Sequence, residues 1–190
     1  MKTSPLTLLF INLLLLPFFT EAQDIHEYFY VFSDKWENGI PTGFMGDKNG
    51  ISMKIEEVSD NPHSGTKCVK ITTDKSESWR GLHVQYSGAW NVSLQPTTKL
   101  PNLTGYEKLE FYARAETTGD DTYVIGEIGM GGGDSKEDKR SDTFLEIGHK
   151  WKKYTINLKG TDLSRINTLL YMVLPVGTLY LDEIRYVKKK

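Results

Sequence analysis

Cysteine is almost missing from this chain of 190 residues. The single Cys68 excludes any intramolecular disulfide, and no CxxC pair exists to hold zinc. The four histidines, His26, His63, His83 and His149, are scattered and form no HExxH pair. No GxSxG elbow marks a serine hydrolase. The glycine-rich stretch Met130 to Arg140 lacks the GK[ST] ending of a phosphate loop, and its charges read as a mobile, solvated rim loop. Charge of one sign is not in excess either: 23 Lys and Arg oppose 25 Asp and Glu, for a net charge of −2. That balance gives no electrostatic footprint for nucleic acid or for an acidic membrane surface, and the closing Lys188-Lys189-Lys190 is too short to change it.

Long hydrophobic runs are confined to the N-terminus. Leu6 to Phe19 is about 14 residues long, short of the roughly 20 that span a bilayer, and Thr20-Glu21-Ala22 follows as a small-residue cleavage site. Residues 1–22 are read as a secretory signal peptide and 23–190 as one secreted, extracellular domain, a retained signal anchor being the alternative. Removing the leader takes Lys2 and Glu21, one residue of each sign, so the charge stays at −2.

No sustained helical stripe appears in the remainder. Period-two alternation predicts strands over Cys68–Thr73, Gly81–Tyr86, Lys108–Ala115, Thr122–Ile128, Lys152–Leu158, Thr168–Leu174 and Thr178–Val187, separated by Gly, Pro, Asn and Asp turns. A helical turn is expected at Asp162–Asn167. Strands at this spacing, unbroken by helices, predict an all-β antiparallel sandwich or barrel. Cys68 falls in a strand and reads as a buried, inert thiol. Two sequons, Asn91-Val92-Ser93 and Asn102-Leu103-Thr104, lie between strands.

The alternation assigns faces. Leu109, Phe111 and Ala113 oppose Glu110, Tyr112 and Arg114. Leu82, Val84 and Tyr86 oppose Trp79, His83 and Gln85. An indole, an imidazole and an amide on one non-core face suit a sugar, because aromatic rings stack on the C–H faces of pyranoses while polar groups take the hydroxyls. The competing reading puts Trp79 in the core and leaves His83 and Gln85 as plain surface. Strict alternation in TLYLDEIRY also places Asp182 beside Tyr180, Ile184 and Tyr186. If that face is buried, the carboxylate requires hydrogen-bond donors, a cation or a metal, and calcium is one answer. If the strand end is open, Asp182 is simply solvated.

Several segments in order resemble a family of exported proteins of largely unassigned function. Tyr30 to Gly50 (YVFSDKWENGIPTGFMGDKNG) is similar to its YSDK…IPSGWMGD opening, and Asn61 to Asp74 (NPHSGTKCVKITTD) to its SG-containing segment. Ser78 to Asn91, Leu103 to Glu116, Trp151 to Ile166 and the closing TLYLDEIRY continue the resemblance. It implies a galactose-binding-like jelly roll, the architecture of many carbohydrate-binding modules, often with a structural calcium. The implied metal ligands are Asp34, Asp60 or nearby carbonyls, and Asp182, with Asp47 a rival. The implied ligand-binding set is Trp79, His83, Gln85 and Trp90, with Arg114 and Glu127 as polar partners. His83 stands where the family has Tyr, Val84 where it has Trp, and Phe44 where GWMG has Trp. The expected function is non-catalytic binding of an oligo- or polysaccharide by a monomer. An extracellular protein-interaction or adhesion domain comes second and a carbohydrate-active enzyme using paired carboxylates third.

Overall fold

The computed structural model describes residues 27–44, 53–74, 80–89, 99–116, 122–132 and 138–189. The leader, Trp79, Trp90, Asp47 and the first sequon lie outside the described residues. The strands are β1 (Tyr28–Phe32), β2 (Gly39–Phe44), β3 (Met53–Val58), β4 (Cys68–Thr73), β5 (Gly81–Tyr86), β6 (Tyr106–Glu116), β7 (Tyr123–Gly132), β8 (Asp138–Ile147), β9 (Lys152–Asn157), β10 (Ile166–Val173) and β11 (Gly177–Lys188). A short 3₁₀ turn, Ser87–Ala89, follows β5.

Every strand pairing among these residues is antiparallel, and the strands form two sheets. Sheet A runs β3-β4-β11-β6-β9, with β1 also on β11, and sheet B runs β2-β5-β10-β7-β8. The long β11 makes this possible: Gly177–Leu181 pairs with β4, and the stretch from Ile184 to Val187 pairs with β1. The fold is an all-β, two-sheet jelly-roll sandwich.

The core is the interdigitation of the two inner faces. Sheet A contributes Val69, Ile71, Leu109, Phe111, Ala113, Leu179, Leu181, Ile184 and Tyr186. Sheet B contributes Leu82, Val84, Ile125, Ile128, Met130, Leu170 and Met172. Tyr186 Oη donates to Leu169 O at 2.7 Å, so the one polar atom of this ring is satisfied across the core. Cys68 is buried as expected, and burial pushes its thiol up to about 11.

β1, β2, β3 and β8 escape the alternation pattern for two reasons. β2, β3 and β8 are edge strands, where Pro, Gly and charge are tolerated because one side of the ladder is unpaired. β1 reads YFYVF, an apolar run with no alternation. The glycine-rich rim loop is corrected in the same way: Met130 to Gly132 continue β7, and Asp138 to Arg140 open β8. The helical turn expected at Asp162–Asn167 is replaced by a bend. There Asp162 Oδ1 accepts from Ser164 N at 3.0 Å, and Ile166 already begins β10.

Candidate functional site

The outward face of sheet B carries two lateral rows of side chains, because antiparallel register aligns residues across all its strands. One row runs Thr42, His83, Tyr171, Gly129, and the next Ile40, Gln85, Thr168, Gly131. Leu82, Val84, Leu170, Met172, Ile128 and Met130 face the core, which leaves these rows on the outer side. The inward–outward pattern expected for β5 is therefore observed.

Hydrogen bonds tie the rows together. His83 Nε2 pairs with Thr168 Oγ1 at 2.9 Å, Gln85 Nε2 donates to Asn167 Oδ1 at 3.3 Å, and Tyr171 Oη donates to Glu127 Oε1 at 3.0 Å. His83 and Gln85 are half-buried, and burial holds the His83 imidazole below the ordinary histidine value. The ring is therefore neutral at pH 7, offering one donor and one acceptor. Gly129 and Gly131, themselves buried, add no side chains to the rows beside Tyr171 and Thr168. The result is a preorganised polar strip with one aromatic ring, Tyr171, at its centre.

His83, Gln85 and Glu127 are thus brought to one face. Tyr171 joins them unforeseen. Its sequence signal was present, since it lies out of phase with the inward Leu170 and Met172. By sequence Trp79 lies two residues before β5 and Trp90 four after it.

Arg114 does not join this face. It projects from β6 on the outer side of sheet A, 8% exposed, with its guanidinium 3.6 Å from the Tyr180 ring centroid and 5.4 Å from that of Trp151. Its Nη2 donates to Asp60 O at 3.3 Å. The loop 59–67 covers this side. There the His63 ring stacks on Tyr112 at 3.5 Å, and Trp151 Nε1 donates to Asn61 O at 2.9 Å. Arg114 and Glu127, both expected on the ligand face, lie on different sheets, in β6 and β7 respectively.

Asp182 is fully buried, but not on the face that strict alternation gives it. The register of β11 against β6 shifts between Asp182 and Arg185, and Glu183 holds φ at 50°. This bulge inserts one residue, so Tyr180 and Asp182 face loop 59–67 while Ile184 and Tyr186 turn into the core. Asp182 Oδ2 accepts from His63 N at 2.9 Å and Ser64 N at 3.0 Å, and Oδ1 accepts from Glu183 N at 2.8 Å. Burial raises the carboxyl above the ordinary range, against the pull of these amides.

Asp34, in the bend after β1, accepts from the backbone N–H of Thr66 and of Lys67, which lower its pKa. Gly65 makes the approach possible: its φ is +58°, and a Cβ there would lie 2.3 Å from Asp34 Oδ1. Asp60 sits against the Arg114 guanidinium, at 4.0 Å, and Tyr180 Oη, at 3.4 Å.

Asp34, Asp60 and Asp182 therefore do not fit one calcium ion. Each meets its own donors, and a cation beside Asp60 would confront Arg114. Among the described residues no group of three or more His, Cys, Asp or Glu is placed to hold a metal. Backbone N–H groups of His63, Ser64 and Glu183 serve the buried Asp182 carboxylate directly.

The geometry can be set beside known proteins. By sequence, no family model matches the chain, and a search of the curated proteins finds no match. Solved structures do match. The family 11 carbohydrate-binding module of the cellulosomal cellulase Lic26A-Cel5E of Clostridium thermocellum aligns with a TM-score of 0.55 at 11% identity, over 85% of this chain and 95% of that one. The family 30 module of the C. thermocellum cellulosomal cellulase Cel9D-Cel44B gives 0.54 at 16% identity, over 86% and 98%. The C-terminal family 22 module of C. thermocellum Xyn10B gives 0.54 at 14%, over 87% and 96%.

The fold is that of carbohydrate-binding modules. At these identities the likeness is one of fold, and these three structures are binding modules rather than catalytic domains.

Proposed function

We propose that this chain is a secreted, non-catalytic glycan-binding protein that engages a polysaccharide chain on the outer face of sheet B. The observation that carries the reading is the two-row strip. His83 is tied to Thr168, Gln85 to Asn167 and Tyr171 to Glu127 by hydrogen bonds before any ligand arrives, which lowers the ordering cost of binding. Tyr171 supplies an apolar ring for a pyranose face, and the imidazole, amide and carboxylate supply the mixed donors and acceptors that hydroxyls need. Trp79 and Trp90, which flank β5 in the sequence, are proposed as further stacking residues. Likeness in fold to a xylan-binding domain, a family 22 carbohydrate-binding module, supports the ligand class.

The test is isothermal titration with soluble β-glucan, xylan and mannan, using the wild type and His83→Ala, Tyr171→Ala and Trp79→Ala variants whose melting is checked. Binding by the wild type that weakens at least about tenfold in still-folded variants supports the proposal. No binding to any polysaccharide moves the sheet B face to the protein-interaction reading. Release of reducing sugars or unsaturated products would restore the enzyme reading.

A further inference from the structure

Phe144 is the most exposed large apolar side chain among the described residues, at 77%. It also holds φ at 59°, in the left-handed region that bulky residues avoid. Asn or Asp there could bond its own backbone in return, but a phenylalanine cannot. The chain that follows it is pinned. Leu145 packs against the core, Ile147 is buried, and Tyr154 Oη donates to Glu146 O at 3.0 Å. In register, Thr143 stands opposite Glu127 and Leu145 opposite Ile125. Phe144 therefore emerges on the outer side of the open edge of sheet B, next along the strand to the residue that faces Glu127. Strand spacing puts it about 5 Å from β7.

We propose that Phe144 is an aromatic platform of the binding face, stacking on the C–H face of one pyranose ring while Glu127 and Tyr171 take that ring's hydroxyls. The inference rests on the glycan reading of sheet B and adds a residue to it. An apolar plate beside a carboxylate and a phenol matches a sugar, which is apolar on its ring face and polar around its rim. The ring is exposed on a backbone that disfavours it, so stability and binding pull in opposite directions at this position.

That opposition supplies the test. Phe144→Gly, Phe144→Ala and Phe144→Tyr are compared with the wild type by thermal melting and by affinity electrophoresis in gels containing β-glucan, xylan or mannan. Val176→Ala, an exposed apolar residue in the β10–β11 turn, is the control. Glycine adopts this φ without strain, so Phe144→Gly should raise the midpoint by about 2–4 °C. The Gly and Ala variants should bind about tenfold more weakly, while Phe144→Tyr and Val176→Ala bind as the wild type does. Wild-type retardation that persists unchanged in the Gly and Ala variants overturns this inference and leaves the sheet B face standing. A wild type unretarded by every polysaccharide overturns the glycan reading beneath it. A dimeric wild type that Phe144→Ala makes monomeric overturns it in favour of self-association.

Discussion

Replacing Asp182 with alanine tests whether backbone donors alone account for the buried carboxylate. The change orphans the amides of His63, Ser64 and Glu183. A buried donor left unsatisfied costs about 1–3 kcal/mol, so three dry amides would cost roughly 3–9 kcal/mol. Loop 59–67 lies at the surface, where water re-solvates part of this, and removing a desolvated carboxylate returns some more. A net loss of about 3 kcal/mol results, or a fall in melting midpoint of roughly 6–12 °C. Asp182→Asn should recover part of the loss, since its one acceptor oxygen, placed at the Oδ2 position, serves His63 N and Ser64 N while the NH₂ faces Glu183 N. The assay is thermal melting of the wild type and both variants, with and without a chelator, beside hydrogen exchange at the His63 and Ser64 amides. Those two amides should lose protection in the alanine variant. An Asp182→Ala midpoint within about 2 °C of the wild type would refute the reasoning. So would a chelator that lowers the wild-type midpoint by several degrees, which would return calcium to the site.

Four further outcomes are expected. Asp34 has its carboxyl held below the ordinary range by the Thr66 and Lys67 amides, so its contribution is full above the ordinary carboxylate range and is lost as pH falls through the depressed value; Asp34→Asn should flatten that acid limb in melts run from pH 7 to 2. Asp182 has the opposite sign, since its raised carboxyl makes ionisation costlier in the fold, and its contribution declines as pH rises from the ordinary range to the raised value. Gly65→Ala should cost about 2–4 kcal/mol in chemical denaturation, because the new Cβ meets Asp34 at a left-handed φ. Arg114→Ala should cost about 2–3 kcal/mol through the lost Tyr180 stack and Asp60 bond while leaving any polysaccharide affinity unchanged, and a loss of affinity in a still-folded protein would place the site on sheet A.

Legibility in the sequence followed burial. β4 and β5 lie inside their sheets, alternate cleanly and were legible to the residue; β9, an edge strand whose inward Tyr154 and Ile156 still alternate with lysine and polar neighbours, was legible to within one. The edge strands β2, β3 and β8 carry Pro, Gly or charge where no neighbour demands a pattern, so periodicity had nothing to report. In β11 the alternation is real on both sides of Glu183, but a bulge breaks its phase, and no residue type in LDEI announces one. That slip decides which residues surround Asp182. His83 and Gln85 were legible as a face because β5 is regular, whereas Tyr171 sits past a register shift between Thr168 and Leu170 that blurs its row. Arg114 shows the limit of strand-by-strand reading, since alternation says that a side chain points outward but not from which sheet.

The most direct measurement is a ¹⁵N–¹H titration of the isotopically labelled protein with a hexasaccharide of whichever polysaccharide retards it in affinity gels. The account predicts that perturbed amides cluster at Thr42, His83, Gln85, Glu127, Gly129, Gly131, Thr168 and Tyr171, while those of Tyr112, Arg114, Tyr180 and Arg185 stay in place. Perturbations gathered around Arg114, Trp151 and Tyr180, with the sheet B strip silent, would contradict it.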